Sequence, residues 1–202
     1  MEGILEGYHG TTPTAAQNIL STCSIDVTPF VITNDAGIRL GQNLPNDLGQ
    51  GLYLFIDEES KGFSGQQSAE NYSKAYKHEE NKIKILKFVF DDQNLTVLNL
   101  NDALTIKILN KLKNKLHDRI YTQLPSAIKN NGRRNRANLD GIFLEFLIKF
   151  RYDNCIDYVI CDTYTPVYNI EGVRTISNLP NGREICLRNL SLINWEKVEE
   201  CE

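Results

Sequence analysis

The chain has 202 residues, of which 41% are hydrophobic and 24% are charged, and its formal net charge is −4. This length supports one substantial core, so we expect a single domain spanning residues 1–202. The longest apolar runs are far shorter than the roughly 18 to 20 residues that a membrane span needs, and no leader pattern follows Met1. We therefore expect a cytoplasmic protein without a membrane anchor.

The cysteines argue against a disulfide framework and against a zinc site. There are five of them, an odd number, and they form neither a Cys-x-x-Cys pair nor a Cys/His ligand spacing. Such a pattern favours reduced thiols with structural roles. We predict no metal site.

The first predicted elements are a strand, a helix and a long loop. Residues 3–9, GILEGYH, form a short β-like run, and the following segment has Thr12 as a helix N-cap with Pro13 at the first helical position. Residues 24–47 are rich in Asn, Asp, Pro and Gly without periodicity, which predicts a functional loop. A second strand, GLYLFI, is predicted at 51–56.

The middle of the chain alternates predicted strands and helices. A polar segment at 68–80 is compatible with a helix, and 82–91 and 95–100 read as strands. Residues 102–124 carry apolar side chains every fourth position, which predicts an amphipathic helix. The run at 139–150 predicts another helix.

The C-terminal part returns to strands. These are predicted at 157–163 and 184–193, with a loop between them from about 165 to 182. Strands near both ends with helices between them favour an α+β fold over an alternating βαβ sheet.

Basic residues are concentrated in one part of the chain. Residues 105–136 contain nine basic side chains against one acidic side chain, within a predicted helical, basic insertion at about 102–150. Two interpretations stay open: a solvated helical face with an exposed loop, or a patch that binds nucleic-acid phosphates. The second interpretation assigns nucleic-acid binding to Lys129, Arg133, Arg134 and Arg136.

Four motifs occur in an order that carries a family resemblance. Residues 8–11 read YHGT, residues 48–54 read LGQGLYL, Ser68-Ala69 is followed by Tyr72, and Glu184 opens the run EICLRN. This order resembles the His-Tyr-Glu class of ADP-ribosyltransferases, which includes diphtheria toxin and the poly(ADP-ribose) polymerases. The resemblance implies a split antiparallel β-sandwich with flanking helices and a cleft for NAD, used as a substrate without a metal.

The resemblance also implies a role for individual residues. Gly10 would hold the nicotinamide carboxamide through its backbone, and His9 would hydrogen-bond the adenosine ribose. Tyr53 and Tyr72 would stack on the nicotinamide ring, and this stacking role predicts that Tyr53→Phe costs little. Glu184 would bind the ribose 2′-hydroxyl and stabilise the oxocarbenium-like transition state. The remaining expected NAD-binding residues are Thr11, Gly51 and Ser68.

Other carboxylates and other acceptors remain open. Glu145 and Glu171 are the alternative catalytic carboxylates. Arginine-modifying toxins of the superfamily carry Glu or Gln two residues before the catalytic Glu, whereas this chain has Gly182 there. Arginine modification is therefore disfavoured, and the small size favours a single transfer over polymer synthesis.

Three functions are compatible with these residues. The first is a mono-ADP-ribosyltransferase that modifies a macromolecule, with DNA or RNA slightly favoured over protein, acting as a toxin or defence effector for which an antitoxin is a candidate partner. The second is an NAD glycohydrolase, in which water is the acceptor. The third is a catalytically silent module that binds ADP-ribose or nucleic acid, and the presence of Glu184 argues against it.

Overall fold

The computed structural model describes residues 3–33, 35, 37–39, 42–76, 82–91, 93–124, 135–168, 174–176 and 178–201, with the backbone alone at 135–138, 166–168 and 174–176. The strands are β1 (Ile4–Thr11), β2 (Leu52–Ile56), β3 (Lys84–Asp91), β4 (Val97–Asn99), β5 (Tyr158–Thr163), β6 (Pro166–Tyr168), β7 (Arg174–Ile176), β8 (Gly182–Leu187) and β9 (Glu199–Glu200). The α-helices are α1 (Pro13–Thr22), α2 (Gly65–Tyr76), α3 (Ala103–Gln123) and α4 (Asn135–Tyr152). The predicted α+β class is confirmed.

Within the described residues, the strands form a mixed seven-stranded sheet and a separate hairpin. The sheet has the order β4-β5-β8-β2-β1-β3-β9, and β6 pairs with β7 in the hairpin. Neighbouring strands are antiparallel except for the parallel pair β4 and β5.

The junction between β1 and β2 is the weakest pairing inside this sheet. Strand β1 pairs with β3 along its whole length, from Ile4 opposite Asp91 to Thr11 opposite Lys84. In contrast, its described register with β2 consists of Tyr8 opposite Phe55. The two strands therefore diverge beyond Tyr8, and the sheet divides there into a β4-β5-β8-β2 half and a β1-β3-β9 half.

Helix α4 forms the centre of the larger core cluster. Its buried side chains, which include Ile142, Phe146 and Ile148, pack with Val159 of β5 and Cys186 of β8. The helix is apolar on most of its sides because α3, described apolar residues between Phe30 and Leu48, and the sheet pack around it. The described parts of the segment predicted as an insertion, α3 and α4, therefore contribute to the core.

The opposite face of the sheet carries a second cluster. Leu54, Phe88 and Ile185 are fully buried there, and Ala16 of α1 packs with them. The ring of Trp195 meets that of Phe88 edge-on, with a centroid distance of 6.2 Å. Both faces of the central strands are thus covered, which leaves little room for a ligand except where the packing elements separate.

Local signals explain several element boundaries. Thr12 accepts a hydrogen bond from the Ala15 N–H at 3.3 Å, which confirms it as the N-cap of α1. Asp102 caps α3 in the same way through Thr105, and the amphipathic helix predicted at 102–124 is confirmed. Helix α2 starts earlier than predicted, at Gly65, because the Asp57 carboxylate accepts from the Gly65 N–H at 2.7 Å.

Two predictions about the C-terminal part need correction. The stretch 165–182 was expected to be a loop but contains the hairpin of β6 and β7. The strand expected at 184–193 runs from Gly182 to Leu187 and gives way to a 3-10 turn, Leu190–Leu192.

Other predictions lie partly beyond the described chain. Lys129, Arg133 and Arg134 are outside the described residues, and Arg136 is described only as backbone within α4. The loop predicted at 24–47 is confirmed in its described part, where Ile32 and Ile38 form an isolated bridge and are buried in the core. Among the described helices, none has the length and apolar character needed to span a membrane.

Candidate functional site

A cavity of about 490 Å³ opens where β1 and β2 diverge. Its size is within the usual range of small-molecule sites. It is bordered by strands β1, β2, β5 and β8, by helix α2, and by the segments that precede β2 and follow β5. The described lining residues are Tyr8, His9, Gly10, Asn46, Asp47, Tyr53, Phe55, Tyr72, Tyr76, Thr163, Tyr164, Thr165 and Glu184.

His9 bridges the gap between the two diverging strands. Its Nδ1 atom lies 2.9 Å from the carbonyl oxygen of Tyr53 in β2. Because a carbonyl oxygen can only accept a hydrogen bond, this contact requires a proton on Nδ1 and thereby fixes the imidazole tautomer. The side chain thus replaces part of the missing backbone pairing and holds its ring at the cavity wall.

Tyr53 contributes its ring to the cavity and uses its hydroxyl elsewhere. The hydroxyl donates to the Gly49 carbonyl at 2.8 Å and accepts from the Leu48 N–H at 2.9 Å. Burial is the main cause that raises the pKa of this phenol. The hydroxyl therefore fixes the segment before β2, so Tyr53→Phe should cost fold stability, while the expectation that it costs little NAD binding stays a prediction.

Glu184 lies on the cavity floor in the middle of β8. Its register neighbours are Phe55 in β2 and Cys161 in β5, and only 7% of its surface is exposed. Burial raises the pKa of this carboxyl well above its ordinary value, and the charge of Asp47 raises it further. Such a desolvated acid in a cavity is typical of functional sites.

No counter-cation meets Glu184 in the described part of the chain. The preceding residue, Arg183, pairs instead with Glu58 and with Asp162, whose Oδ1 lies 2.7 Å from the Arg183 Nε. No lysine or arginine belongs to the described cavity lining. A buried carboxyl without a cationic partner is costly to ionise, so this site favours a ligand that brings its own positive charge.

Asp47 is a second acid of the cavity, which the sequence interpretation did not include. Its side chain is exposed because it faces the open cavity, yet the protein around the cavity still raises its pKa by desolvation. Its Oδ1 accepts a hydrogen bond from the Leu48 N–H at 3.1 Å. Tyr53 and Asp47 thus meet at the same backbone amide.

Aromatic rings form much of the remaining wall. Tyr72 lies between Phe55 and Tyr76, with centroid distances of 5.8 Å and 4.8 Å. It is 40% exposed, and burial followed by the charge of Glu184 raises its pKa to about 12. Tyr164 at the rim is 53% exposed. These rings offer flat, electron-rich faces close to an acid, an environment that suits a planar cation.

Close packing explains why glycine is needed at two of the predicted NAD-binding positions, Gly10 and Gly51. A Cβ on Gly10 would lie 1.8 Å from the Ser73 Oγ, so this glycine allows α2 to approach β1 as well as lining the cavity. A Cβ on Gly51 would lie 2.4 Å from the Leu187 carbonyl oxygen of β8. Gly51, Thr11 and Ser68 are not among the described lining residues, and their predicted contact with NAD stays a prediction.

The two alternative carboxylates have different outcomes. Glu145 is buried in α4, where it pairs with Arg188 (Oε2 to Nη2, 3.0 Å) and accepts from the Gln50 N–H at 2.7 Å. It is not among the described lining residues, and its partners give it a structural role that anchors the segment before β2. Glu171 lies outside the described residues.

Thr165 is a cavity residue that no motif indicated. The Asn181 side chain holds its backbone with two hydrogen bonds, of 2.7 Å to the N–H and 2.8 Å to the carbonyl oxygen. The residue is only 2% exposed, and its Oγ1 has no hydrogen-bond partner within the described structure. A buried hydroxyl without a partner destabilises the fold. A short Thr-Tyr-Thr run after a strand gives no sequence signal for it.

Other chemistries find less support in the described residues. The cysteines are free, and no cluster of His, Cys, Asp and Glu side chains there could hold a metal ion. Comparisons of the chain with protein-family models, with curated proteins and with solved structures found no match.

Proposed function

We propose that the chain is a mono-ADP-ribosyltransferase that cleaves NAD at the bond between nicotinamide and ribose. The observation that carries this proposal is Glu184, a buried carboxyl on the floor of an aromatic cavity with no cationic partner among the described residues. The resemblance of the YHGT, LGQGLYL and EICLRN motifs to the His-Tyr-Glu class supports it independently, since His9, Tyr53 and Glu184 all line this cavity.

The positive charge of the nicotinamide ring complements the acids and aromatic faces of the cavity. The nicotinamide ring of NAD is a planar pyridinium cation, and its departure leaves positive charge on the ribose. A tyrosine face attracts such a cation by roughly 0.5 to 2 kcal/mol, and Tyr53 and Tyr72 provide these faces. Glu184 provides the negative charge, which is worth more in a desolvated cavity than in water.

The proposed reaction uses Glu184 for electrostatic stabilisation. The C1′–N1 bond of NAD breaks, and its electron pair leaves with nicotinamide, which becomes neutral. The positive charge that develops on the ribose is stabilised by the ionised Glu184 carboxylate. An acceptor oxygen or nitrogen then bonds to C1′ and gives up its proton to the Glu184 carboxylate, which passes it to solvent, and the ADP-ribose is transferred once.

Ligand binding and the ionisation of Glu184 are coupled in this proposal. Burial favours the neutral acid in the empty cavity, which raises its pKa. A bound pyridinium favours the carboxylate and lowers that pKa again. NAD binding should therefore release a proton when the pH lies between the two pKa values, and affinity should rise with pH in this range.

We also infer that the divergence of β1 from β2 corresponds to the cleft of the split ADP-ribosyltransferase sandwich. The register supports this inference, because β1 pairs with β2 only at Tyr8 opposite Phe55 before the strands separate. His9 and Gly10 follow Tyr8 directly within β1, at the place where the class holds NAD. A cofactor in this cleft would contact both halves of the sheet.

The test is nicotinamide release from NAD, followed by chromatography, in wild type, Glu184→Gln and the control Glu196→Gln. Glu196 is an exposed glutamate without an ion pair in the described structure. We expect release by wild type and the control only. Label transferred from adenine-labelled NAD to a macromolecule identifies a transferase, whereas free ADP-ribose alone identifies a glycohydrolase. Absence of release in wild type, supplied with a cell lysate as acceptor, refutes the proposal.

A further inference from the structure

Three lysines of α3 differ from most other lysines of the described chain. The side chains of Lys61, Lys74, Lys84, Lys87 and Lys113 each pair with a carboxylate. Lys107, Lys111 and Lys115 are exposed and have no acidic partner in the described structure. In a protein with 26 acidic and 22 basic side chains, unpaired lysines grouped on one helix are unexpected.

These three residues form one surface, which we call the lysine face. They follow one another at intervals of four residues, so each lies about 6 Å further along the helix and turned by only about 40°. Asp118 is the acidic residue that follows them on α3, and it lies beside His117 at 3.1 Å. Asp118 follows Lys115 by three positions and so lies on the same side of α3, where its one negative charge leaves the three lysines with a net positive charge.

An exposed aromatic pair lies on the same helix. The rings of His117 and Tyr121 are stacked, with a centroid distance of 5.6 Å and an interplanar angle of 10°. Tyr121 is 40% exposed. From Lys111 to His117, and from Lys115 to Tyr121, the helix rises about 9 Å and turns by about 120°, so the rings occupy a neighbouring side of α3. Exposed rings and unpaired lysines on one helix are the combination with which proteins bind single-stranded nucleic acids, because bases stack on the rings and phosphates meet the cations.

The lysine face is connected to the candidate site through β5. Asn101, just before α3, accepts a hydrogen bond from the Asp162 N–H at 2.8 Å, and the next residue, Thr163, lines the cavity. Lys107 follows the first residue of α3 by four positions, a rise of about 6 Å. A strand bound along the lysine face could therefore extend towards the cavity.

We infer that the acceptor of the ADP-ribose is a single-stranded nucleic acid, RNA or DNA, bound through its phosphates by the lysine face of α3. This inference rests on the proposed function for the transfer step, but the binding step is independent of it. A phosphate backbone provides repeated negative charges to lysines spaced along one helix face, and the His117 and Tyr121 rings provide a stacking surface on the neighbouring side of α3.

The binding test uses short fluorescein-labelled single-stranded RNA and DNA oligonucleotides and follows anisotropy between roughly 50 and 200 mM salt. Wild type is compared with Lys107→Gln/Lys111→Gln/Lys115→Gln. The matched control, Lys82→Gln/Lys84→Gln/Lys197→Gln, changes the net charge equally at lysines outside α3; Lys82 and Lys197 are exposed, and Lys84 pairs with Glu200. Loss of three phosphate contacts should reduce the log–log salt slope by about two, at about 0.7 per contact on a single strand.

The transfer test uses the same proteins with labelled NAD and the oligonucleotides. We expect the α3 variant to lose labelling of the oligonucleotide while its nicotinamide release without an oligonucleotide stays at the wild-type level. The control variant should retain both activities. Salt-independent binding, equal weakening in the control, or label only on protein from a lysate would each overturn the inference. If wild type released no nicotinamide, the proposed function would fail while the anisotropy result would still decide the binding step.

Discussion

Substitution of Glu184 by glutamine tests two effects of this buried acid separately: its effect on fold stability and its effect on catalysis. The carboxyl is 7% exposed, and burial and Asp47 raise its pKa well above the ordinary value of 4.5. The folded state therefore holds this proton more tightly than the unfolded state does. Stability from this group is fully present below pH 4.5 and is lost as the pH rises through the folded-state pKa.

The expected gain in fold stability of Glu184→Gln relative to wild type follows from this linkage. At pH 4 both side chains are neutral, so the two proteins should be similarly stable. As the pH rises, folded wild type must either ionise a desolvated carboxyl or retain a proton that the unfolded chain releases. Folded Glu184→Gln does neither. Each unit by which the pKa is raised contributes about 1.4 kcal/mol at high pH, which is roughly 3 to 6 °C in Tm for a chain of this size.

Two assays on the same preparations test the reasoning. Thermal melts between pH 4 and 8 should show a Tm difference that increases with pH in Glu184→Gln and stays near zero in Glu196→Gln. Nicotinamide release should fall by at least roughly a hundredfold, because the charge that stabilises the transition state is gone. A variant less stable than wild type at pH 8, or one whose turnover is within a few-fold of wild type, would refute this account.

Three further substitutions distinguish structural from functional groups around the cavity. Glu145→Gln should destabilise the protein by about 3 to 5 kcal/mol in urea unfolding, because it leaves Arg188 buried without its partner; equal stability would contradict the structural role. Tyr53→Phe should cost about 1 to 3 kcal/mol of fold stability, since it removes the donor to the Gly49 carbonyl and leaves the Leu48 N–H with the Asp47 Oδ1 as its acceptor, and an unchanged unfolding midpoint would refute this. Thr165→Val should raise stability by about 1 kcal/mol by removing an unpaired hydroxyl. A Thr165→Val protein that is less stable than Thr165→Ser would mean that the hydroxyl has a hydrogen-bond partner.

Much of the local structure could be predicted because its causes are local. The cap at Thr12 and the four-residue apolar spacing of α3 depend on neighbours within one or two helical turns. The α+β class follows from the order of such elements. The hairpin of β6 and β7 was missed because its strands are only three residues long, too short for a periodic pattern.

The site could be predicted only in part, for a related reason. Motif order brought His9, Tyr53 and Glu184 into one hypothesis, and the fold brings them to one cavity. Asp47 and Thr165 carry no motif, and their position depends on contacts between distant segments. The role of the Tyr53 hydroxyl was also hidden, because hydrogen bonds to the Leu48 and Gly49 backbone are properties of the folded loop.

The divergence of β1 and β2 links the architecture to the chemistry. A continuous ladder beyond Tyr8 would pair the backbones of Gly10 and Tyr53 and close the space between the strands. Here the His9 imidazole binds the Tyr53 carbonyl instead, so a side chain performs a backbone function at the cavity wall. Substitution of His9 would therefore disturb the junction of the two sheet halves as well as any ligand contact. Loss of activity in such a variant supports a ligand role only if the stability of the fold is measured alongside it.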